Sequence, residues 1–215
     1  MNDRPESATD PGHTTYRELI AVVILAVTAV LTAWSGFEAS KWGGEMSIAF
    51  SRASAARIEA SGFNAQADAA RGFDLNVFGI YIQAVAEGDD LLRDFVEQRF
   101  TDHFEPAFDA WLEQRPLQNP AAPASPFALP EYQPPGLAEA DEADGRADEL
   151  FGQALEYNQR GDNYTLLTVL FALVLFFSAV SQRIKSNALT WVVLSSATVL
   201  LVVGVSFLIA FPKII

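Results

Sequence analysis

Three long apolar runs stand out from an otherwise polar chain: residues 19–37, 164–182 and 188–211, none holding Asp, Glu, Lys, Arg or His. Each has about the ~20 residues that cross a ~30 Å hydrocarbon layer as a helix. Trp34, Tyr164 and Trp191 lie near run ends, where amphipathic aromatics favour the membrane–water boundary. Thr15 and Glu18 have capping-box spacing ahead of the first run. The pattern predicts an all-α membrane protein with three transmembrane helices.

Between the first two runs, two stretches repeat every seven residues. The first stripe is Ala39, Trp42, Met46, Ala49, Ala53, Ala56, Ala60, Phe63, Ala67 and Ala70. The second is Ala140, Ala143, Ala147, Leu150, Ala154, Tyr157, Gly161 and Tyr164. Steps of three and four alternate along both, which is the coiled-coil seam, and alanine at most positions lets two backbones approach closely. Gly43, Gly44 and Gly62 weaken helix propensity in the first stretch. Because both stretches run straight into apolar runs, they predict an antiparallel Ala-rich coiled-coil stalk, continuous with spans one and two. Arg57 falls off the seam and is expected on the surface.

Residues 74–112 predict shorter capping helices, with Leu75, Phe78, Ile82 and Val85 on one face. Gly88-Asp89-Asp90 reads as a turn whose acids cap the next helix. Phe95, Phe100, Phe104, Phe108 and Trp111 form an aromatic group broken near Pro106. It is expected to be core, an exposed partner surface being the alternative. Seven prolines between residues 116 and 136 leave no room for a helix or central strand there. That segment is either a strap over the aromatics or a linker.

Charge then sets orientation. The net charge is −13, and residues 38–162 hold 23 of the 27 acids but only 9 of the 14 bases. Such a surface repels nucleic acid and anionic headgroups. Arg183 and Lys185 occupy the short connection 183–187, and short basic loops stay cytoplasmic. The expected order is a cytoplasmic tail (1–18), span one (19–37), an acidic helical extracytoplasmic domain (38–163, with the Pro-rich loop at 116–136), span two (164–182), a basic cytoplasmic loop (183–187), span three (188–211) and a short outer tail (212–215). Lys41, Arg52 and Arg160 lie on the outer side, but long domains translocate largely regardless of charge. The first run lacks a cationic lead-in and a good cleavage site, so it is expected to stay in the protein. Arg outnumbers Lys 11 to 3, in keeping with a GC-rich bacterial genome. The expected location is a bacterial inner membrane, with the bilayer as one partner.

Candidate chemistry is sparse. There is no cysteine, which excludes disulfides, thiolate metal sites and thiol nucleophiles. Asp102, His103, Glu105 and Asp109 are the one candidate metal cluster, and a solvated acidic face is the competing reading. His13 is the other histidine, in the tail. No phosphate-binding glycine loop, nucleophile elbow or His-Glu-x-x-His is present. Glu38, Lys41 and Glu45 have helical ion-pair spacing and read as an anchor beside span one. Thr28, Thr32 and Gly36 repeat every fourth residue, a small-residue stripe suited to close helix packing.

The string Thr32-Ala33-Trp34-Ser35-Gly36-Phe37 with Lys41-Trp42-Gly43-Gly44-Glu45 resembles a set of bacterial three-span membrane proteins of no assigned function. Pro123-Ala124-Ser125-Pro126-Phe127, Pro130-Glu131-Tyr132 and Asp162-Asn163-Tyr164 are similar to it too. The likeness covers nearly the whole chain and implies no activity. The residues therefore point to a non-catalytic scaffold, sensor or assembly factor, homo-oligomeric and without a cofactor, with an unidentified protein partner and no nucleic acid. The alternative is a small homo-oligomeric cation channel.

Topology can be tested directly. Cysteine introduced at Ser125 should react with an impermeant maleimide on intact spheroplasts, and cysteine at Ser186 should not. The reverse pattern would invert the orientation.

Overall fold

A computed structural model describes residues 16–116 and 118–214, with Arg17 described in its backbone only. The Thr15 capping partner, His13 and the tail 1–15 lie outside the described residues. Five helices follow in order: α1 (Tyr16–Glu87), α2 (Asp90–Glu97), α3 (Glu105–Glu113), α4 (Leu137–Ser181) and α5 (Asn187–Ala210). A 3₁₀ turn, Pro126–Ala128, lies between α3 and α4, and no strand occurs among the described residues. α1, α4 and α5 are long and apolar enough to cross a membrane.

α1 runs unbroken for 72 residues. The shorter helices expected from residue 74 therefore begin only at Asp90. α1 stops where Gly88 adopts φ 71°, a left-handed turn that glycine enters without strain. Gly88 N–H donates to the Val85 carbonyl and Asp89 N–H to the Ala84 carbonyl at 3.0 Å, the pairing of a Schellman motif. Asp89 then caps α2, accepting from Leu92 N–H at 3.0 Å as its sequence position predicted.

The chain divides into two compact units. Unit 1 is Met1–Ile48 with Gln153–Ile215, and unit 2 is Ala49–Gly152. In unit 2 the α1 residues Ala49, Ala53, Ala56 and Ala60 and the α4 residues Ala140, Ala143 and Ala147 are all buried. Phe50 meets Phe151 edge-on at 5.4 Å, and Arg146 reaches Glu59 at 2.9 Å. Partner numbers fall as α1 numbers rise, so the two helices run antiparallel here. Arg57 is exposed, as its position off the seam predicted, and it is also paired. It bridges Asp144 at 3.3 Å and Asp148 at 2.5 Å.

Further along α1 the inward face is Asp74, Val77, Tyr81 and Ala84, joined by Phe78 and Val85. Leu75 and Ile82, expected inside, are exposed instead. The stripe of Ala53, Ala60 and Ala67 simply continues in sevens to Asp74 and Tyr81, so the covered face carries a carboxylate while more apolar neighbours face out. Phe104, Phe108 and Trp111 pack against it with Phe100, whereas Phe95 stays half-exposed under the Arg99 guanidinium at 3.4 Å. The Pro-rich segment is a strap. Phe127, Leu129 and Tyr132 join this core, and Trp111 Nε1–H donates to the Pro123 carbonyl at 2.8 Å.

In unit 1, α1 buries Ala21, Ile24, Thr28, Ser35, Glu38 and Trp42. α4 buries Ala154, Tyr164, Leu167, Phe171, Val174 and Ser178, and α5 buries Thr190, Leu194, Ala197, Gly204 and Leu208. The seven-residue rhythm slips once in each long helix. Glu38, Trp42 and Met46 follow two steps of four, while Gly161, Tyr164 and Leu167 follow two steps of three. Such slips locally unwind or overwind a helix pair, which turns new residues onto the covered face.

The seam gives a stability prediction. Ala53→Glu or Ala147→Glu buries an unpaired charge and should lower thermal stability by several degrees in detergent. Arg52→Glu, exposed and without a charged partner among the described residues, should shift it far less. Equal losses from all three would show that the alanine positions carry no packing load.

Candidate functional site

Two buried carboxylates organise the polar interior, one in each unit. In unit 1, Glu38 is completely buried just past the first apolar run. It does not pair with Lys41: among the described residues no ion pair joins Lys41 to Glu38 or Glu45, and Lys41 is exposed. Glu38 Oε2 accepts the Ile214 N–H at 3.1 Å, and the Tyr164 hydroxyl donates to the Pro212 carbonyl at 3.0 Å. Together they hold the segment after α5 against α1 and α4, with Phe211 edge-on to Tyr164 at 5.7 Å. Glu38 Oε1, Trp42 Nε1 and the hydroxyls of Thr28, Ser35 and Ser178 are buried without a hydrogen-bond partner among the described residues. The Arg160 guanidinium lies over the Trp42 ring at 4.7 Å and pairs with Glu156.

The predicted packing stripe divides between environments. Thr28 faces the bundle interior, Thr32 is half-buried and donates its hydroxyl to the Thr28 carbonyl at 2.8 Å, and Gly36 is exposed. The predicted seam residues Ala49, Ala53, Ala56, Ala60, Ala140, Ala143, Ala147 and Ala154 are all buried.

In unit 2, Asp74 is buried and accepts three hydrogen bonds. Thr101 Oγ1–H donates to Oδ1 at 2.7 Å, and the Tyr132 hydroxyl donates to Oδ2 at 2.9 Å. His103 Nε2 lies 2.7 Å from Oδ2. One carboxylate thereby ties α1 to the turn between α2 and α3 and to the Pro-rich strap. The predicted metal cluster does not assemble. Asp102, Glu105 and Asp109 are exposed, His103 turns to Asp74, and no group of three metal-ligating side chains converges among the described residues. Burial pushes the Tyr132 phenol well above its ordinary value of 10.0, and its bond to Asp74 and that carboxylate's charge push it further. Arg71 opposes the shift weakly.

Beside this core lies a cleft of about 310 Å³, lined by Tyr81, Val85, Trp111, Leu112, Arg115 and Gln118. Its walls are the end of α1, the end of α3 and the turn that follows. Burial raises the Tyr81 phenol, Glu97 adds to the rise, and Arg93 opposes it.

Sequence reasoning missed Glu38 and Asp74. A signal existed for Asp74, which stands seven residues beyond Ala67 on a seam of alanines. Glu38 was hidden by the rhythm slip, since extending the outer seam backward selects Ala39. Comparison with known protein families, characterised proteins and solved structures finds no match.

Asp74→Ala should destabilise unit 2 by about 3 kcal/mol, because three partners lose a buried, charge-assisted acceptor. Denaturant midpoints that move by less than a third of this would show the network to be idle. Alkali gives an independent check. The folded phenol holds its proton more tightly than the unfolded one, so its contribution is complete below about pH 10 and declines as pH rises beyond it. Tyr132→Phe should flatten that decline, and an unchanged alkaline slope would contradict the assignment.

Proposed function

We propose that this chain is a non-catalytic integral membrane protein, a scaffold, sensor or assembly factor that works through helical unit 2. The observation that carries this reading is the aromatic-walled cleft on unit 2. An apolar concavity with a few polar groups at its rim is shaped to bind. The buried carboxylate nearby supports the same reading, because Asp74 is engaged by three donors that fasten the fold. The basic 183–187 connection supports an extracytoplasmic unit 2. The buried, heptad-spaced alanines of α1 and α4 support an antiparallel coiled coil. Exposed Gly36 leaves a flat face on α1 for a second copy, and close packing is what drives association in lipid.

A second reading, a small homo-oligomeric cation channel, is favoured by Glu38. A buried carboxylate beside an apolar run, with one free oxygen and orphan hydroxyls at Thr28, Ser35 and Ser178, is an unusual expense in a membrane bundle.

Reconstitution separates the two. Proteoliposomes carrying the full chain should pass Na⁺, K⁺ and H⁺ no faster than empty vesicles. Light scattering in mild detergent should give a multiple of the 23.4 kDa chain mass. A cation flux abolished by Glu38→Gln would transfer the function to the channel. A single 23.4 kDa species in both detergent and lipid nanodiscs would remove the oligomer and the channel together.

A further inference from the structure

We infer that the cleft between the ends of α1 and α3 binds a small organic monoanion with an apolar body, its carboxylate held by Arg115. This rests on the reading of unit 2 as the binding part of the molecule and names what it binds. The floor is apolar: Val85 and Leu112 with the rings of Tyr81 and Trp111. Trp111 presents its ring to the cleft while its N–H is engaged by the Pro123 carbonyl. The residues with polar side-chain groups that line the cleft, besides Trp111, are Tyr81, Arg115 and Gln118.

Arg115 is held there against the preference of its backbone. Its φ is 49°, a left-handed conformation that glycine adopts freely and other residues adopt at a cost. Bonds on both sides fix the turn. Arg115 N–H donates to the Leu112 carbonyl at 2.9 Å, and the Arg115 carbonyl accepts from Gln118 N–H at 2.8 Å and Asn119 N–H at 2.9 Å. The Asn119 side chain donates to the Gln114 carbonyl at 3.3 Å. A turn that would suit glycine thus carries a guanidinium instead. Elsewhere in unit 2, Arg57, Arg93 and Arg146 pair with carboxylates and Arg99 covers Phe95, while Arg52 and Arg71 have no hydrogen-bond or ion-pair partner among the described residues but do not line this cleft. The Arg115 side chain is exposed, lines the cleft and has no hydrogen-bond or ion-pair partner among the described residues.

The surroundings narrow the ligand. Residues 38–162 carry 23 acids against 9 bases, a field that repels polyanions such as nucleic acid. A single negative charge against Arg115, with the rest of the ligand apolar, gains from the guanidinium and from the aromatic walls. A volume of about 310 Å³ is at the low end of the ~300–1,000 Å³ typical of small-molecule sites, which suits a compact acid better than a two-chain lipid.

The test uses the full chain in nanodiscs and three water-soluble probes that differ in the head group: 4-phenylbutyrate, 4-phenylbutanol and 4-phenylbutylamine. Calorimetric titration, with empty nanodiscs subtracted, should show the acid binding at least tenfold tighter than the amine. Arg115→Gly should cost the acid at least tenfold in affinity while leaving the alcohol unchanged. The same variant should raise the melting temperature, since glycine relieves the left-handed turn. Arg115→Lys should retain part of the acid's affinity. Equal binding of acid and amine, undiminished acid binding to Arg115→Gly, or no binding beyond empty nanodiscs would each overturn the inference. Those outcomes remove the ligand and the cleft's support for the scaffold reading, whereas that reading itself is overturned separately, by a cation flux abolished by Glu38→Gln.

Discussion

A helix of 72 residues such as α1, with a segment apolar enough to cross a membrane, needs one face covered along its length. α1 meets this with a seven-residue rhythm of small side chains. Thr28, Ser35, Ala49 and Ala56 fall on one heptad series, as does the larger Trp42, and all are buried. In water the drive is removal of apolar surface, and in lipid it is close van der Waals contact. Small residues at regular spacing serve both, because they let a second backbone come close in either medium. α4 carries the matching series, and the acidic exterior and the capping core are arranged around that shared geometry.

The same rhythm explains why each unit buries a carboxylate. Asp74 and Glu38 both occupy covered positions, and the two units treat them differently. Around Asp74 the fold supplies three donors from distant parts of the chain, so the charge fastens the capping helices and strap to α1. Around Glu38 it supplies one backbone N–H and leaves an oxygen unpartnered beside Trp42. A fully satisfied buried network rigidifies the fold around it, and an unpartnered buried polar atom is costly. Unit 2 thus holds the fully engaged carboxylate, and unit 1 the one engaged by a single N–H among the described residues.

Much of this fold could be read from the residues. The apolar runs located the three long apolar helices because hydrocarbon thickness leaves little freedom in their length. The alanine spacing selected the buried faces of α1 and α4, and Asp89 announced the cap of α2. What escaped reading depended on phase. Leu75 and Ile82 looked like core because they are apolar, yet the stripe inherited from Ala67 places Asp74 and Tyr81 inside. Glu38 looked like the partner of Lys41 because three-step spacing on an isolated helix favours such pairs, and the slip at residues 38–46 turned it inward. The cleft was not legible at all, since its walls come from segments about thirty residues apart and its rim depends on a left-handed arginine.

The central claim is that α1 keeps one covered face while passing from lipid into water. Because the chain has no native cysteine, single nitroxide labels can be placed at residues 28–60 without background. Labels at Thr28, Ser35, Trp42, Ala49 and Ala56 should be shielded from both oxygen and a water-soluble nickel chelate. Labels on the opposite face should favour oxygen at Val30 and Gly36 and the nickel chelate at Arg52 and Ile58, with the crossover between residues 38 and 45. Nickel access to the outer face of residues 28–37, or shielding without a seven-residue period, would contradict the account.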